Sequence, residues 1–379
     1  MKNYKCISCG VDGLKQSSLF GVLPRVTSDC KSFPSGGILY QCQACGLIQK
    51  YVDCNLASEI SEIYSQYEIY KTAGGQEQLI FNVDKTAPRS KFIVDFLKDS
   101  AIKSEYGSMI DIGCGNGNML KSFSLAFPGW TLNGSELRED GRKDLEKINN
   151  FHRLYDGDID QIEEKFDLIT LIHSLEHIQY PRDFIKKLLQ KLKKNGKILM
   201  QVPDYENSIF DVLIADHISH FTISTLTNMM SSLGIRVDYI SNKLIVKEIT
   251  LLISNLALEA EKKPLQDNND LKILDFDERI QYLKMMLDHA RGYAEKTQKF
   301  GIFGTSISAM WLYGGINFKA SFFADEDPSK LGSKIDGKEI IDPKNLKDGA
   351  NLYLPLNRQV SKVISSRYKN LNTEFYDFS

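Results

Sequence analysis

No stretch of about 18 uninterrupted apolar residues occurs in the chain, so a membrane-spanning helix is not expected. The N-terminal MKNYKCISCG has no apolar run behind its lysines, which argues against a secretory signal. An excess of one charge sign is also missing, with 47 Lys and Arg against 49 Asp and Glu. Bulk attraction to a polyanion is therefore set aside, and a small-molecule or protein partner is expected. Neither an internal repeat nor a low-complexity tract is present, which sets aside repeat architectures and long disordered arms. Cysteines do not come in an even number: there are seven, and four of them form two tight pairs. In the cytoplasmic setting that the missing signal implies, such pairs favour a metal over disulfides.

What is present suits two or three domains: 379 residues, 42% of them apolar. Residues 1–80 hold the cysteine pairs and a tyrosine-rich linker. The spacing of Phe92, Ile93, Phe96 and Leu97 predicts a helix over 86–98. From Ser108 onward, apolar runs ending at turns (SMIDIG, TLNGSEL, KFDLITLI, GKILMQV) alternate with helical segments such as PRDFIKKLLQKLKKN. That alternation predicts an α/β unit over 81–256, a mainly parallel sheet with helices on both faces. GIRVDYI and LIVKEITLLI, with no helix between them, read as an antiparallel pair closing it. A polar helical connector follows over 257–298. Over 299–379, KFGIFGTS, FKASFFADEDP and NLYLPL read as strands of a second strand–helix block.

Asp111-Ile112-Gly113-Cys114-Gly115-Asn116-Gly117 follows a strand and precedes the helical MLKSFSLAF. Glycines there let the backbone approach a ligand, and the helix start offers free N–H groups. The turn alone also suits dinucleotides or phosphates. Glu136, with Leu137 beside it, ends the next strand about 20 residues beyond the last loop glycine, where a carboxylate accepts from the ribose hydroxyls of an adenosine ligand. Asp158 is placed to accept from an adenine amino group, with Ile159 packing on the ring. Cys6-x-x-Cys9 and Cys42-x-x-Cys45 are two knuckles about 32 residues apart, a spacing that sets four thiolates around one structural Zn²⁺ with no open position.

The ordered series DIGCGNG, SEL, GDI and FDLITLIHSLEH resembles the motifs of class I methyltransferases. The resemblance implies a Rossmann-like doubly wound sheet of seven strands and S-adenosyl-L-methionine as cofactor. It implies that Asp111, Gly113, Cys114, Gly115, Asn116, Gly117, Glu136, Leu137, Asp158, Ile159 and His173 hold that cofactor. His173 and His177 of HSLEH frame the pocket mouth, facing substrate or serving cofactor placement only.

The whole layout is similar to that of the bacterial sugar C-methyltransferases: a CxxC…CxxCG ribbon, a tyrosine-rich linker, the methyltransferase core, and FGIFGTSISAMWLYGGI with FFADEDPSKLGSKIDGKEIIDP in a C-terminal Rossmann-like block. That likeness implies a nucleotide-linked 4-keto sugar as substrate. It places catalysis in Asp216-His217-Ile218-Ser219-His220-Phe221-Thr222, where the family has Glu-His and then Tyr-Phe-Ser. His217 is the candidate base, with Asp216 and His220 as helpers. O-methylation from either histidine fits nearly as well; the purely structural alternative is a capping role before the helix STLTNMMSSL. The likeness also implies a linker tyrosine in the site; Tyr64, Tyr67 and Tyr70 are candidates, Tyr67 the one carried forward. The ribbon's few scattered lysines, without interleaved aromatics, argue against RNA as the acceptor.

Overall fold

The computed structural model describes residues 4–67, 77, 79–81, 86–138, 141–257, 276–346, 349–371 and 373–378. Seven strands form the central sheet, ordered Phe151–Tyr155, Trp130–Ser135, Gly107–Ile112, Phe166–Ile172, Leu192–Pro203, Glu248–Ala257, Ile235–Ser241. The first five run parallel, and Glu248–Ala257 is antiparallel to both of its neighbours. This mixed α/β sheet fits the class I methyltransferase architecture that the motif series implied, closed by the antiparallel pair that its final two strand patterns predict. Sequential strands leave Gly107–Ile112 in opposite directions, outward to Trp130–Ser135 and inward to Phe166–Ile172. The crevice at their carboxyl ends is therefore the topological switch point where ligands of such sheets bind.

Two element boundaries differ from the sequence expectation. Residues Thr86–Pro88 pair as a strand with Leu79–Phe81, and the helix starts at Arg89, because Pro88 presents extended backbone just ahead of the first turn. The helix from Pro181 stops at Gln190, and Leu192 already belongs to the next strand, pairing with Phe166. Its lysine-rich end continued the helical pattern in sequence, but hydrogen bonding to the sheet takes those residues.

The N-terminal unit is not a separate bead. Its strands Leu14–Gln16, Leu39–Cys42 and Ile48–Lys50 form an antiparallel sheet whose fourth strand is Ser219–His220, from far along the chain. The C-terminal block has a six-stranded sheet, in which Phe300–Phe303 and Phe322–Ala324 run parallel at the centre. Helix Phe276–Lys296, expected as a connector, is packed into the core: Phe276, Ile280, Leu283, Met286 and Leu287 join Trp311, Tyr313 and Phe323 of the C-terminal block. The same cluster takes in Phe20, Leu23 and Val26 from the N-terminal unit and Phe210, Val212 and Leu213. One hydrophobic core thus fastens together three segments that read as separate domains. The beginning of the expected connector, residues 258–275, lies outside the described residues. No helix among the described residues is long and apolar enough to cross a membrane.

Trp311 is the largest fully buried side chain of that shared core, with Phe210 at 5.8 Å between ring centroids. Trp311→Ala should lower unfolding stability by about 3–5 kcal/mol, read by circular dichroism in a urea titration. A loss below about 1 kcal/mol would mean that the three segments do not depend on this core.

Candidate active site

The glycine loop closes the first central strand. Gly113, Gly115 and Gly117 all have positive φ (+74°, +52° and +77°), which L side chains avoid. Space enforces glycine as well: a Cβ on Gly113 would stand 2.5 Å from Ser174 Oγ, and one on Gly117 2.4 Å from Leu145 Cδ2. Helix Asn118–Ala126 starts directly behind the loop. The Gly115 N–H donates to Glu136 Oε2 (2.8 Å) and the Leu137 N–H to Oε1 (2.9 Å), so the carboxylate expected to meet a ribose also ties the two strand ends together.

The other sequence candidates divide by depth. Asp111 lies beneath the loop, accepting from the Thr170 hydroxyl at 2.6 Å, and burial pushes its carboxyl up to about 7. Cys114 is buried with its Sγ against Gly134, where a Cβ would stand 2.6 Å away. Asn116 lies inside the loop, between Gly115 and Gly117. Leu137 is exposed and lies against Gly157, beside exposed Asp158, which caps the turn Ile159–Gln161 by accepting from the Asp160 N–H (2.9 Å). Ile159, expected to pack on an adenine, is instead buried in the central core. Its apolar character serves the sheet, because the short turn points it inward.

The expected catalytic segment, Asp216–Thr222, lies in a stretch buried without interruption from Phe210 to Thr222, and the N-terminal unit satisfies much of that backbone. The Ala215 N–H donates to Val26 O (2.7 Å) and the Lys50 N–H to Ile218 O (2.8 Å). The ammonium of buried Lys50 donates to His217 O (2.9 Å) and Ile214 O. Burial pushes that ammonium down to about 7 against the pull of Asp211 and Asp216.

Within this segment the histidines have other partners than expected. His217 Nδ1 is 2.7 Å from Asp211 Oδ1, and His220 Nδ1 is 2.6 Å from Asp211 Oδ2. Asp216, expected to support His217, instead accepts from Ser28 N (2.9 Å) and Ser28 Oγ (2.5 Å) and lies 3.4 Å from His177 Nδ1. His220 is 1% exposed, too deep to be a helper at a substrate, and serves as the second partner of Asp211. Burial drives His220 down to about 4 despite the carboxylate. For His217, burial opposes the charge but Asp211, Glu176 and Asp216 outweigh it, so its pKa is raised. Asp211 is held far below the usual carboxylate range: burial alone would raise it, but the two imidazoles prevail. Asp211 was missed in the sequence, where its one signal is an acid inside the apolar run SIFDVLIA.

The HSLEH turn meets this segment. His177 Nδ1 lies 3.0 Å from Asp216 O and 3.1 Å from the Tyr64 hydroxyl, and its ring meets that of His217 edge-on at 4.7 Å. Tyr64 lies in the last turn of helix Cys54–Ser65, whose N-terminus Asp53 caps by accepting from the Leu56 N–H. Arg138 reaches from the second strand's turn to donate to Tyr64 O and Tyr67 O. The Tyr67 hydroxyl lies 3.4 Å from Ser28 Oγ, a step further from the imidazoles than Tyr64. Tyr70 lies outside the described residues.

His173 adopts φ +52° and belongs to a charge network that sequence did not reveal. Its two ring nitrogens lie 3.2 Å from Glu176 Oε1 and Glu248 Oε1, and Glu248 is gripped by the Arg89 fork at 2.7–3.2 Å. Burial would lower the His173 pKa, but Glu248, with Glu176, raises it to about 9 against Arg89. Burial likewise opposes ionisation of Glu248, yet Arg89 and His173 bring it down to about 2.

Where the strand Leu39–Cys42 ends, the thiols of Cys6, Cys9, Cys42 and Cys45 lie within 4.8 Å of one another, with Cys6–Cys45 at 3.5 Å and Cys9–Cys42 at 3.6 Å. None of the four is disulfide-bonded.

Residues 86–240 match a family model described as a methyltransferase domain. The central unit is thus similar to methyltransferase domains over those residues. Among curated proteins, the mitochondrial ubiquinone biosynthesis O-methyltransferase of Schizosaccharomyces pombe is 27% identical over 157 residues, 39% of this chain and 56% of that protein. The ubiquinone biosynthesis O-methyltransferase of Hydrogenovibrio crunogenus is 27% identical over 135 residues, 33% of this chain and 55% of that protein. The chain thus spans about half the length of the curated relatives it matches. Among solved structures, the plantazolicin methyltransferase BpumL in complex with SAH aligns with 52% of this chain and 90% of its own at 16% identity and a TM-score of 0.37. An S-adenosylmethionine-dependent methyltransferase from Clostridium acetobutylicum covers 52% and 98% at 15% identity and a TM-score of 0.37.

The His173 network makes the stability of the central domain depend on pH with a defined sign. A histidine raised from 6.5 to about 9 contributes fully below pH 6.5 and loses that contribution as pH rises through 9. The Glu248 contribution is present above pH 4.5 and lost as pH falls toward 2. Thermal unfolding followed from pH 6 to 9.5 should therefore show a falling midpoint in the wild type and a flatter profile in His173→Gln. Parallel profiles would show that His173 carries no excess proton in the folded state.

Proposed function

We propose that the protein transfers the methyl group of S-adenosyl-L-methionine to a small-molecule acceptor. The observation that carries this reading is the placement beyond the carboxyl ends of the central strands of the Gly113–Gly117 loop, the Glu136 carboxylate bonded to it, and the HSLEH turn, whose partly buried His177 meets the buried imidazole of His217. The donor set fits the cofactor: positive-φ glycines that bring bare backbone to a helix start, and an acid at the end of the adjacent strand. Gly113, Gly115, Gly117, Glu136 and Asp158 would hold it, with Leu137 covering one side of the crevice. Once bound, the sulfonium supplies an electrophilic methyl group, so the protein's task is to position and deprotonate the acceptor. His217 takes the acceptor's proton in this reading, beside Tyr64 and His177.

For the acceptor, the likeness of the layout to the sugar C-methyltransferases supports a nucleotide-linked keto sugar or a related saccharide precursor, methylated at carbon. The printed names of the curated relatives favour a second reading, O-methylation of another small metabolite, and the same histidine would serve a hydroxyl. N-methylation, RNA as acceptor, or a non-catalytic scaffold has less support here.

The four thiols suit a structural Zn²⁺: a tetrahedral site with Zn–S of about 2.3 Å needs sulfurs about 3.8 Å apart, close to the 3.5 and 3.6 Å separations present. All four donors come from the protein, so the metal would brace the sheet that holds Ser219–His220 and perform no chemistry. Reduced thiols of this kind accord with a cytoplasmic location.

Titration calorimetry with S-adenosylhomocysteine, then with TDP, UDP, GDP and CDP, tests the reading. We expect one cofactor site and selective binding of a single nucleoside diphosphate. Cofactor binding without nucleotide preference would move the acceptor to the O-methylation reading, and no cofactor binding would overturn the enzyme reading. On an accepted substrate, His217→Ala should lose about 10²–10⁴-fold in kcat; near-wild-type turnover would remove His217 as the base. Metal analysis should find one zinc per chain, and Cys42→Ser should lose it and lower the thermal midpoint. An unchanged midpoint in metal-free Cys42→Ser would show that the thiols hold nothing structural.

A further inference from the structure

Asp211 belongs to neither the cofactor loop nor the motif that the sequence singled out, yet it stands at the centre of the imidazole cluster. It sits on the short 3-10 turn Ile209–Leu213, whose Phe210, Val212 and Leu213 are sunk in the core shared with Trp311. Its two carboxylate oxygens face two different Nδ1 atoms, at 2.7 and 2.6 Å. An ionised carboxylate only accepts, so each of those nitrogens must carry the hydrogen. In neutral His217 and His220 the lone pair is therefore on Nε2. For His220 that nitrogen is buried and has no hydrogen-bond partner. His220 thus works as a fixed donor that holds the carboxylate's second oxygen and its plane.

We propose that Asp211 is the positioning residue of the active site: shared between His217 and His220, its carboxylate locks His217 as the Nδ1–H tautomer and leaves Nε2 as the basic nitrogen. This rests on the reading of His217 as the base. When His217 Nε2 takes the acceptor's proton, the imidazolium charge forms beside an ionised carboxylate that is already in place. The acceptor's freed electron pair forms the bond to the methyl carbon as the C–S bond of the sulfonium breaks, giving S-adenosylhomocysteine. The proton then leaves His217 for solvent, and Asp211 stays ionised throughout.

Several charged groups face His217, and the assignment has to hold among them. Asp216 and His220 lie on its own segment, Glu176 and His177 come from the HSLEH turn, and Lys50 donates to its backbone carbonyl. Tyr64 reaches the cluster through His177. It is Asp211 that hydrogen-bonds the His217 ring, while Asp216 is engaged by Ser28.

The test needs no substrate. The chain has six histidines, so selective ¹⁵N-histidine labelling with single substitutions assigns every ring in long-range ¹H–¹⁵N spectra. In the wild type, His217 and His220 should both appear as Nδ1–H tautomers when neutral. In Asp211→Asn, His217 should titrate lower by on the order of one pH unit, because the anion that favours its charged form is gone. His220→Phe, which keeps the Asp211–His217 pair, should leave the His217 tautomer unchanged and its pKa no lower. S-adenosylhomocysteine binding serves as the control for folding. Should Asp211→Asn fail to fold, the wild-type tautomer and the His220→Phe titration decide by themselves. An Nε2–H tautomer at His217 or an unaltered His217 titration in Asp211→Asn would each overturn the proposal. Full methyl transfer by His217→Ala would instead overturn the base reading and leave the measured tautomers standing.

Discussion

A buried backbone must find partners for every N–H and C=O, and residues 210–222 are buried along their whole length. The rest of the molecule is arranged around that constraint. The central sheet cannot supply all the partners, because this segment is an excursion between its strands. The N-terminal unit supplies many of them: Val26 and Lys50 bond its backbone, and the strand Ile48–Lys50 takes Ser219–His220 as a neighbour. The C-terminal block supplies the apolar floor through Trp311 and its neighbours. The glycine loop and the acidic strand end can be built within the central domain. The imidazole cluster requires all three segments at once.

Buried charge is managed in two ways at the same site. Around His173, opposite charges alternate from Arg89 through Glu248 to Glu176, so each desolvated group has a counter-charge at 2.7–3.2 Å. Around Asp211, one carboxylate is divided between two imidazoles that cannot both easily take the second proton and become charged in so dry a place. His220, the deeper, is driven neutral, and His217 keeps the favourable field. The unequal depth of two similar side chains thus assigns them different tasks.

Much of this could be read along the chain. DIGCGNG announces a strand, a tight turn and a helix start because glycine spacing and apolar runs are local properties, and the loop has that form. The cysteine knuckles are legible for the same reason, since two residues between thiols set a local turn that brings both to one point. The terminal antiparallel strand pair followed from the missing helix between GIRVDYI and LIVKEITLLI. Element ends were less legible, as at Gln190, where a lysine-rich run suits helix and strand alike and only pairing with Phe166 decides.

The amino-acid pattern by itself determined the class of the central sheet, the place of its ligand loop and the residue types available for a metal and a base, because each is written in neighbouring residues. Only the tertiary structure decided who partners whom. Asp211 rather than Asp216 holds His217, Ser28 takes Asp216, and Glu248 joins His173 from 75 residues away. Those pairings depend on which side chains burial forces together across a fold. A carboxylate's partner in a dry interior is set by three-dimensional proximity and the cost of leaving a charge alone, neither of which has a signature in sequence spacing.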